Sequence, residues 1–173
     1  MRVYIYMNSD SASILNMEFA NSRMLKSEED TAAFADEVIS KFISNINEGK
    51  REGGVDAGQA IILALSGDLG SGKTTFTKKI AAALGVAEVV TSPTFVIQKK
   101  YQTKDGWQLI HMDAYRLENE ADLDVLGFKD LVKNPKNIIV IEWPERIMKA
   151  LPKGVVWLRF QFVDETTRKV QWV

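Results

Sequence analysis

Apolar residues form two short continuous runs that predict buried strands. Residues 60–66 (AIILALS) and 137–143 (NIIVIEW) have strand length and are bounded by turn-forming residues. A strand that is apolar at nearly every position is buried on both faces, which is typical of a parallel sheet covered by helices on each side. The two runs therefore predict the centre of an α/β fold.

A period of three to four residues predicts a helix before the first run. Ser27 and Asp30 have the spacing of a capping box, which pairs free amides at a helix start with side chains. A second helix is expected from Lys73 to Leu84, where Gly85 ends it. The apolar positions that define the buried face of the first helix are Phe34, Val38, Ile39, Phe42, Ile43 and Ile46.

Turn residues and weaker patterns predict the remaining elements. The Asp105-Gly106 pair favours a hairpin between two strands, and Pro144 suits the first position of a helix. The predicted strands are 3–7, 16–25, 88–90, 95–102, 107–112, 155–163 and 169–173, the last two forming a second hairpin. The predicted helices are 117–132 and 144–150, and the polar, glycine-rich segment 47–59 is expected to be a flexible connection.

Composition and charge exclude several kinds of site and several classes of function. The chain of 173 residues has no cysteine and one histidine, which excludes disulfides, thiolate metal sites, a cysteine nucleophile and multi-histidine metal sites. A formal net charge of −1 argues against a freestanding DNA- or RNA-binding protein, so any contact with RNA is expected to be indirect. No apolar run approaches the roughly 18 residues of a spanning helix, and the start lacks a signal-peptide pattern. We therefore expect a cytoplasmic protein without membrane contact.

A glycine-rich segment between the first buried strand and the second helix carries the clearest chemistry. Residues 67–74 (GDLGSGKT) match the pattern G-x-x-x-x-G-K-[ST]. Glycines let successive amides face phosphate oxygens, and the helix start adds positive potential. Lys73 offers a mobile ammonium to the terminal phosphates, and Thr74 offers a hydroxyl to Mg²⁺. The alternative is a glycine-rich turn with an exposed lysine.

Two acidic residues follow predicted strands. Glu142 comes after four branched apolar residues, so it is expected at the carboxyl end of a buried strand, beside the phosphates. Asp113 at the end of the 107–112 strand suits a residue that holds or deprotonates a water or hydroxyl. On spacing alone Glu142 could also be a solvent-facing carboxylate and Asp113 a helix cap. Residues 92–95 (SPTF) indicate a rigid turn.

Four motifs in order give a more specific indication. GDLGSGKTTFTK, SPTF, HMDAYR and IEWPER together resemble the TsaE (YjeE) family, small ATPases of bacterial threonylcarbamoyladenosine synthesis on tRNA. The resemblance covers about residues 25–173, so residues 1–24 are interpreted as an N-terminal extension and 25–173 as one ATPase domain. It implies a three-layer α/β sandwich of the P-loop NTPase type, with a mixed, mainly parallel central sheet and antiparallel hairpins. The extension and the long 47–59 connection depart from the family pattern.

The resemblance also implies roles for individual residues. Thr74 and Glu142 would hold Mg²⁺, Glu142 directly or through water, while Lys73, Asp113 and Glu142 would carry hydrolysis of ATP. Residues 92–95 would form a switch-like segment, and Trp143 would report on nucleotide binding. The residues implied to surround the phosphates are Gly67, Asp68, Leu69, Gly70, Ser71, Gly72, Lys73, Thr74 and Thr75. Those implied to border the adenine are Lys26, Glu28, Thr31 and Arg168, and Asp113 is also expected to contact the nucleotide.

The family context implies TsaD and TsaB as partners, with tRNA held mainly by them. Two other functions stay open: a small-molecule kinase, and a binding module that ATP switches without being hydrolysed. Kinases with this loop usually have an arginine-rich lid, yet Arg116 is the only arginine between Thr74 and Glu142. Because nothing obvious in the chain supplies an arginine finger, slow turnover is expected without partners. Arg116 and Arg146 are candidates by position.

Overall fold

The two apolar runs lie side by side at the centre of a seven-stranded sheet. The computed structural model describes residues 22–47, 58–119 and 121–173. The strand order is β1-β7-β6-β2-β5-β4-β3. The strands are β1 (Ser22–Leu25), β2 (Ile61–Ser66), β3 (Gln98–Gln102), β4 (Gln108–Asp113), β5 (Asn137–Glu142), β6 (Val156–Phe162) and β7 (Arg168–Trp172).

The sheet is parallel in its middle and antiparallel at both edges. Strands β6, β2, β5 and β4 run in the same direction, with β2 between β5 and β6. The predicted hairpins are confirmed as antiparallel pairs, β3 with β4 and β6 with β7, and β1 pairs antiparallel with β7. The carboxyl ends of the four parallel strands therefore share one edge of the sheet, where ligands bind in open α/β folds.

Two apolar cores cover the two faces of the sheet. The helices are α1 (Glu28–Asn47), α2 (Lys73–Ala83), α3 (Ala121–Val125) and α4 (Phe128–Val132). Helices α1 and α2 pack on one face, where Phe34 and Phe76 have ring centroids 5.3 Å apart and Phe76 contacts Phe160 at 5.2 Å. Short helices cover the other face, where Phe128 and Leu131 pack against Ile139 and Ile141. The arrangement is the expected three-layer α/β sandwich.

The capping box predicted at the start of α1 forms in part. The Ser27 hydroxyl accepts a hydrogen bond from the Asp30 amide, while the Asp30 carboxylate accepts one from the amide of Lys26, the residue before the cap. No helix among the described residues has the length and apolar character needed to cross a membrane. The predicted strand 3–7, the residues 16–21 and most of the 47–59 connection lie outside the described residues. The division into an extension and one domain stays a prediction.

Four predicted elements differ from the structure, each where the backbone turns. Residues 88–90 form no strand. Val89 is exposed, and Val90 is the one residue of the three that is buried in the core. The strand predicted from residue 95 begins at Gln98, because the Pro93 carbonyl accepts the amides of Val96 and Ile97 in a turn.

The other two differences concern helices. The predicted helix 117–132 is divided into α3 and α4, because Gly127 adopts a left-handed conformation with φ 66°. The predicted helix 144–150 consists of two 3₁₀ turns, Pro144–Arg146 and Met148–Ala150, separated by Ile147 with φ −128°. In both segments a helical conformation was predicted correctly and its continuity wrongly.

Candidate functional site

A cleft of about 680 Å³ lies at the edge where the parallel strands end. It is bordered by the start of α2, by the strand-end residues Asp113 and Glu142, and by the first turn of α1. The register of the sheet explains why these parts meet: Leu65 pairs with Glu142, and Glu142 pairs with Asp113. Residues distant in the sequence are thus held at one height on three neighbouring strands.

Glycine is required at both ends of the loop between β2 and α2. Gly67 has φ 135°, and a Cβ atom added there would lie 2.2 Å from the carbonyl oxygen of Phe160. Gly72 has φ 101° and is the N-cap of α2, without a side-chain cap from any described residue. The first amides of α2 therefore lack side-chain acceptors at the cleft, and such a helix start attracts anions.

Lys73 is the first residue of α2 and is only 4% exposed. Its ammonium donates hydrogen bonds to the carbonyls of Gly67 at 2.6 Å and Asp68 at 2.9 Å, and lies 4.0 Å from the centroid of the Trp143 ring. Burial lowers the pKa of Lys73 below its ordinary value, although the charges of Glu142 and other nearby carboxylates oppose the shift. A bound anion would favour the ammonium further, as expected for a phosphate-binding lysine.

Thr74 and Glu142 form an oxygen-rich pair beside Lys73. The Thr74 hydroxyl donates to Glu142 Oε2 at 2.8 Å, which leaves the hydroxyl lone pairs available to a cation. No cluster of three or more His, Asp or Glu side chains able to hold a metal occurs among the described residues. This donor set fits Mg²⁺, which usually takes one or two protein ligands and completes its shell with phosphates and water.

Asp113 is held by two contacts at the cleft. Its Oδ2 accepts the Thr94 hydroxyl at 2.6 Å, and its Oδ1 accepts the Tyr115 amide at 3.1 Å. Ser92 and Thr94 have hydroxyl oxygens 2.6 Å apart, which links the SPTF segment to this carboxylate. Asp113 is therefore the cap of the 3₁₀ turn Ala114–Arg116, as the alternative interpretation held, and also a cleft residue.

The four residues expected near the adenine all line the cleft: Lys26, Glu28, Thr31 and Arg168. Glu28 forms an ion pair with Lys79 at 2.8 Å. The Arg168 guanidinium donates to the carbonyls of Asp164 and Thr167, and its stem approaches Gly72. The cleft lining also includes two polar residues that sequence reasoning did not identify, Glu165 and Thr166.

Not every predicted residue lines the cleft. Gly67, Asp68 and Ser71 are not among its lining residues, and the first two hold Lys73 through their carbonyls. The two arginines considered as finger residues do not line it either. Arg116 lies 4.8 Å from the Phe95 ring centroid and Arg146 lies 5.5 Å from that of Tyr115.

One buried contact was missed from the sequence. His111 Nε2 lies 2.7 Å from Glu142 Oε1, and His111 is fully buried. His111 alternates with the apolar residues of β4 and stands two positions before Asp113, so both side chains point to the same face. That alternation was available in the sequence, but the pairing of β4 with β5 was not.

Comparisons with known proteins agree with the geometry. A family model described as "Threonylcarbamoyl adenosine biosynthesis protein TsaE" matches residues 25–170. The tRNA threonylcarbamoyladenosine biosynthesis protein TsaE of Bacillus subtilis is 44% identical over 110 residues, 63% of this chain and 66% of that protein. This alignment spans just under two thirds of the relative. The protein of the same name from Aquifex aeolicus is 34% identical over 157 residues, 90% of this chain and 97% of that protein.

A solved structure shows the same architecture. The crystal structure of Bacillus subtilis YdiB matches with a TM-score of 0.61 and 28% identity, covering 87% of this chain and 82% of that chain. The expected fold of the P-loop NTPase type is thereby confirmed. Because the family model spans most of the chain, the motifs GDLGSGKT, HMDAYR and IEWPER stand in a matching family context. This chain belongs to the TsaE family of threonylcarbamoyl adenosine biosynthesis proteins.

Proposed function

We propose that this protein is a Mg²⁺-dependent ATPase subunit needed for threonylcarbamoyladenosine modification of tRNA. The observation that carries the proposal is the convergence of Lys73, Thr74 and Glu142 in the cleft that the 67–75 loop borders. Membership of the TsaE family supports the pathway, since its relatives are named for this biosynthesis. Its proposed place of action is the cytoplasm.

Different residues of the cleft would bind the phosphates, the metal and the rest of the nucleotide. Amides at the start of α2 and the Lys73 ammonium would bind the phosphates, and Thr74 with Glu142 would hold Mg²⁺. When bound, Mg²⁺ neutralises phosphate charge that develops during transfer. Asp113 would orient or deprotonate the attacking water. Lys26, Glu28, Thr31 and Arg168 would border the adenine and ribose.

The charge of the chain supports indirect contact with tRNA. A net charge of −1 lacks the basic excess on which phosphate-backbone binding depends. We therefore propose that TsaD and TsaB hold the tRNA and that hydrolysis by this subunit resets them between turnovers. Slow hydrolysis by the isolated chain is expected, because Arg116 and Arg146 stack on aromatic rings away from the cleft.

Phosphate release, measured with and without purified TsaD and TsaB, tests the proposal. Lys73→Ala and Glu142→Ala should each reduce release by about 10²–10³-fold, since each removes an electrostatic contact to the phosphates or their metal. Lys78→Ala is the matched control, because Lys78 is an exposed lysine of the same helix. The control should release phosphate at the rate of the unaltered protein.

The same assay separates the two alternatives. Transfer of phosphate to an added small-molecule acceptor in place of water would indicate a kinase. Tight Mg²⁺–ATP binding without phosphate release, alone and with both partners, would indicate a binding module. Either result would contradict hydrolysis as the function.

A further inference from the structure

The single histidine of the chain is buried directly beneath the proposed metal-binding carboxylate. His111 lies on β4 with none of its surface exposed, and Glu142 ends β5 with 3% exposed. The two strands are parallel neighbours, and His111 pairs in register with Val140, two residues before Glu142. The imidazole therefore approaches the Glu142 carboxylate from inside the sheet, on the side away from the cleft opening.

Contacts on both oxygens fix the orientation of this carboxylate. Oε1 lies 2.7 Å from His111 Nε2, and Oε2 accepts the Thr74 hydroxyl at 2.8 Å. One contact alone would leave the terminal torsion of Glu142 free to rotate, because that torsion is broad in glutamate. With both contacts, the lone pairs that remain on Oε2 are directed toward the cleft beside Thr74.

The geometry also indicates which nitrogen carries the proton. An ionised carboxylate only accepts hydrogen bonds, so with Glu142 in the ionised form that binds a cation, the 2.7 Å contact is made by N–H at Nε2. Nδ1 is buried and has no partner among the described residues, so Nε2 is the ring atom that contacts the carboxylate. The Nε2 donor can thus orient Glu142.

We propose that His111 is a positioning residue that holds the Glu142 carboxylate in the orientation needed to bind the divalent cation. This inference rests on the proposed function, because it concerns the same site. Groups that orient metal ligands typically contribute about 10- to 100-fold in metal affinity. Nucleotide affinity measured without metal should not depend on His111, because the ring does not line the cleft.

Two amide substitutions test the role of the Nε2 donor. In His111→Gln the side-chain amide can reach the position of Nε2, whereas in His111→Asn it ends near the position of Nδ1. Both variants place a polar amide at the same buried position, so they are matched in polarity. Thermal unfolding of each is measured first, to compare variants at a temperature where both are folded.

The readout is Mn²⁺ binding in the presence of ADP, followed by electron paramagnetic resonance of the free ion. We expect His111→Asn to weaken Mn²⁺ binding about 10- to 100-fold, and His111→Gln to bind within a few-fold of the unaltered protein. ADP binding without metal, followed by tryptophan fluorescence, should be the same in all three. In turnover assays, His111→Asn should raise the Mg²⁺ concentration for half-maximal rate.

Two results would overturn the proposal. Equal Mn²⁺ affinity in His111→Asn and the unaltered protein would show that the donor is not needed. Equal weakening in both variants would show that the ring volume matters and the Nε2 donor does not. Failure of the unaltered protein to bind Mn²⁺ with ADP would instead contradict the proposed function itself, so the two failures are distinguishable.

Discussion

Replacing Thr74 with valine removes one hydroxyl and keeps the shape of the side chain. In the structure that hydroxyl donates to Glu142 Oε2 at 2.8 Å. Thr74→Val should therefore affect both the stability of the fold and the binding of the metal. Thr74→Ser is the matched control, because serine keeps the hydroxyl and loses only a methyl group.

The expected loss of stability follows from the burial of Glu142, which is 3% exposed. A buried acceptor left without its donor costs about 1–3 kcal/mol. For a chain of this size each kcal/mol lowers Tm by about 2–4 °C, so Thr74→Val should lower Tm by about 2–12 °C. Thr74→Ser should unfold near the temperature of the unaltered protein. Differential scanning calorimetry without nucleotide measures both.

The expected loss of activity is larger than the loss of stability. A missing contact at the metal should reduce phosphate release by about 10²–10³-fold at saturating ATP. Thr74 and Glu142 act on one cation, so Thr74→Val combined with Glu142→Gln should be no slower than the slower single variant. Phosphate release by Thr74→Val within three-fold of Thr74→Ser would refute the assignment of Thr74 to the metal. Multiplicative losses in the double variant would refute a shared site.

The remaining predictions concern the loop, the hairpin turn and the SPTF segment. Gly67→Ala should destabilise by about 2–5 kcal/mol in urea unfolding, because its Cβ would lie 2.2 Å from a carbonyl oxygen. Gly70→Ala, with positive φ but open space, should cost only about 1–2 kcal/mol. Hydrogen bonds from Thr167 and then Thr166 hold the pKa of Asp164 below its ordinary value. As pH falls, the unfolded chain therefore takes up a proton at Asp164 before the folded chain does. The stabilisation that the ionised Asp164 carboxylate gives to the fold is present above pH 3.8 and is lost as pH falls through the lowered pKa. The difference in Tm between the unaltered protein and Asp164→Asn should shrink in that acidic range. Thr94→Val removes the hydroxyl that donates to Asp113. The turnover number should fall about ten-fold with unchanged ATP affinity. This is part of the ~10²–10⁴-fold rate enhancement that an acid–base group supplies.

Local sequence patterns predicted the elements that depend on local interactions. The apolar run 60–66, the capping box at Ser27 and the Asp105-Gly106 turn are each determined by neighbours within a few residues, and each is present, the capping box in part. Predictions were wrong where the backbone turns inside a predicted element. Ile97 and Trp143 have φ 64° and 58°, which side chains of their type rarely adopt, and no local pattern indicates it.

Site residues were likewise predictable where the signal is local in the sequence and missed where it depends on tertiary structure. The 67–74 loop was predictable because its glycines, lysine and threonine are close together in the sequence and match a phosphate-binding pattern. Glu142 was predictable as the end of an apolar strand. The cleft residues Glu165 and Thr166 were missed, because their position depends on the turn between β6 and β7 lying opposite the loop.

The contact between His111 and Glu142 could not be predicted from the sequence, because it depends on which strands are neighbours and on their register. Alternation along β4 assigns Leu109, His111 and Asp113 to one face, and alternation along β5 assigns Val140 and Glu142 to one face. Both assignments can be made from the sequence. Whether the two faces coincide depends on the strands being parallel neighbours, and a shift of one residue would place His111 away from the carboxylate. The buried histidine therefore gains a function only from the register between two strands, which the chain sets through the packing of its whole sheet.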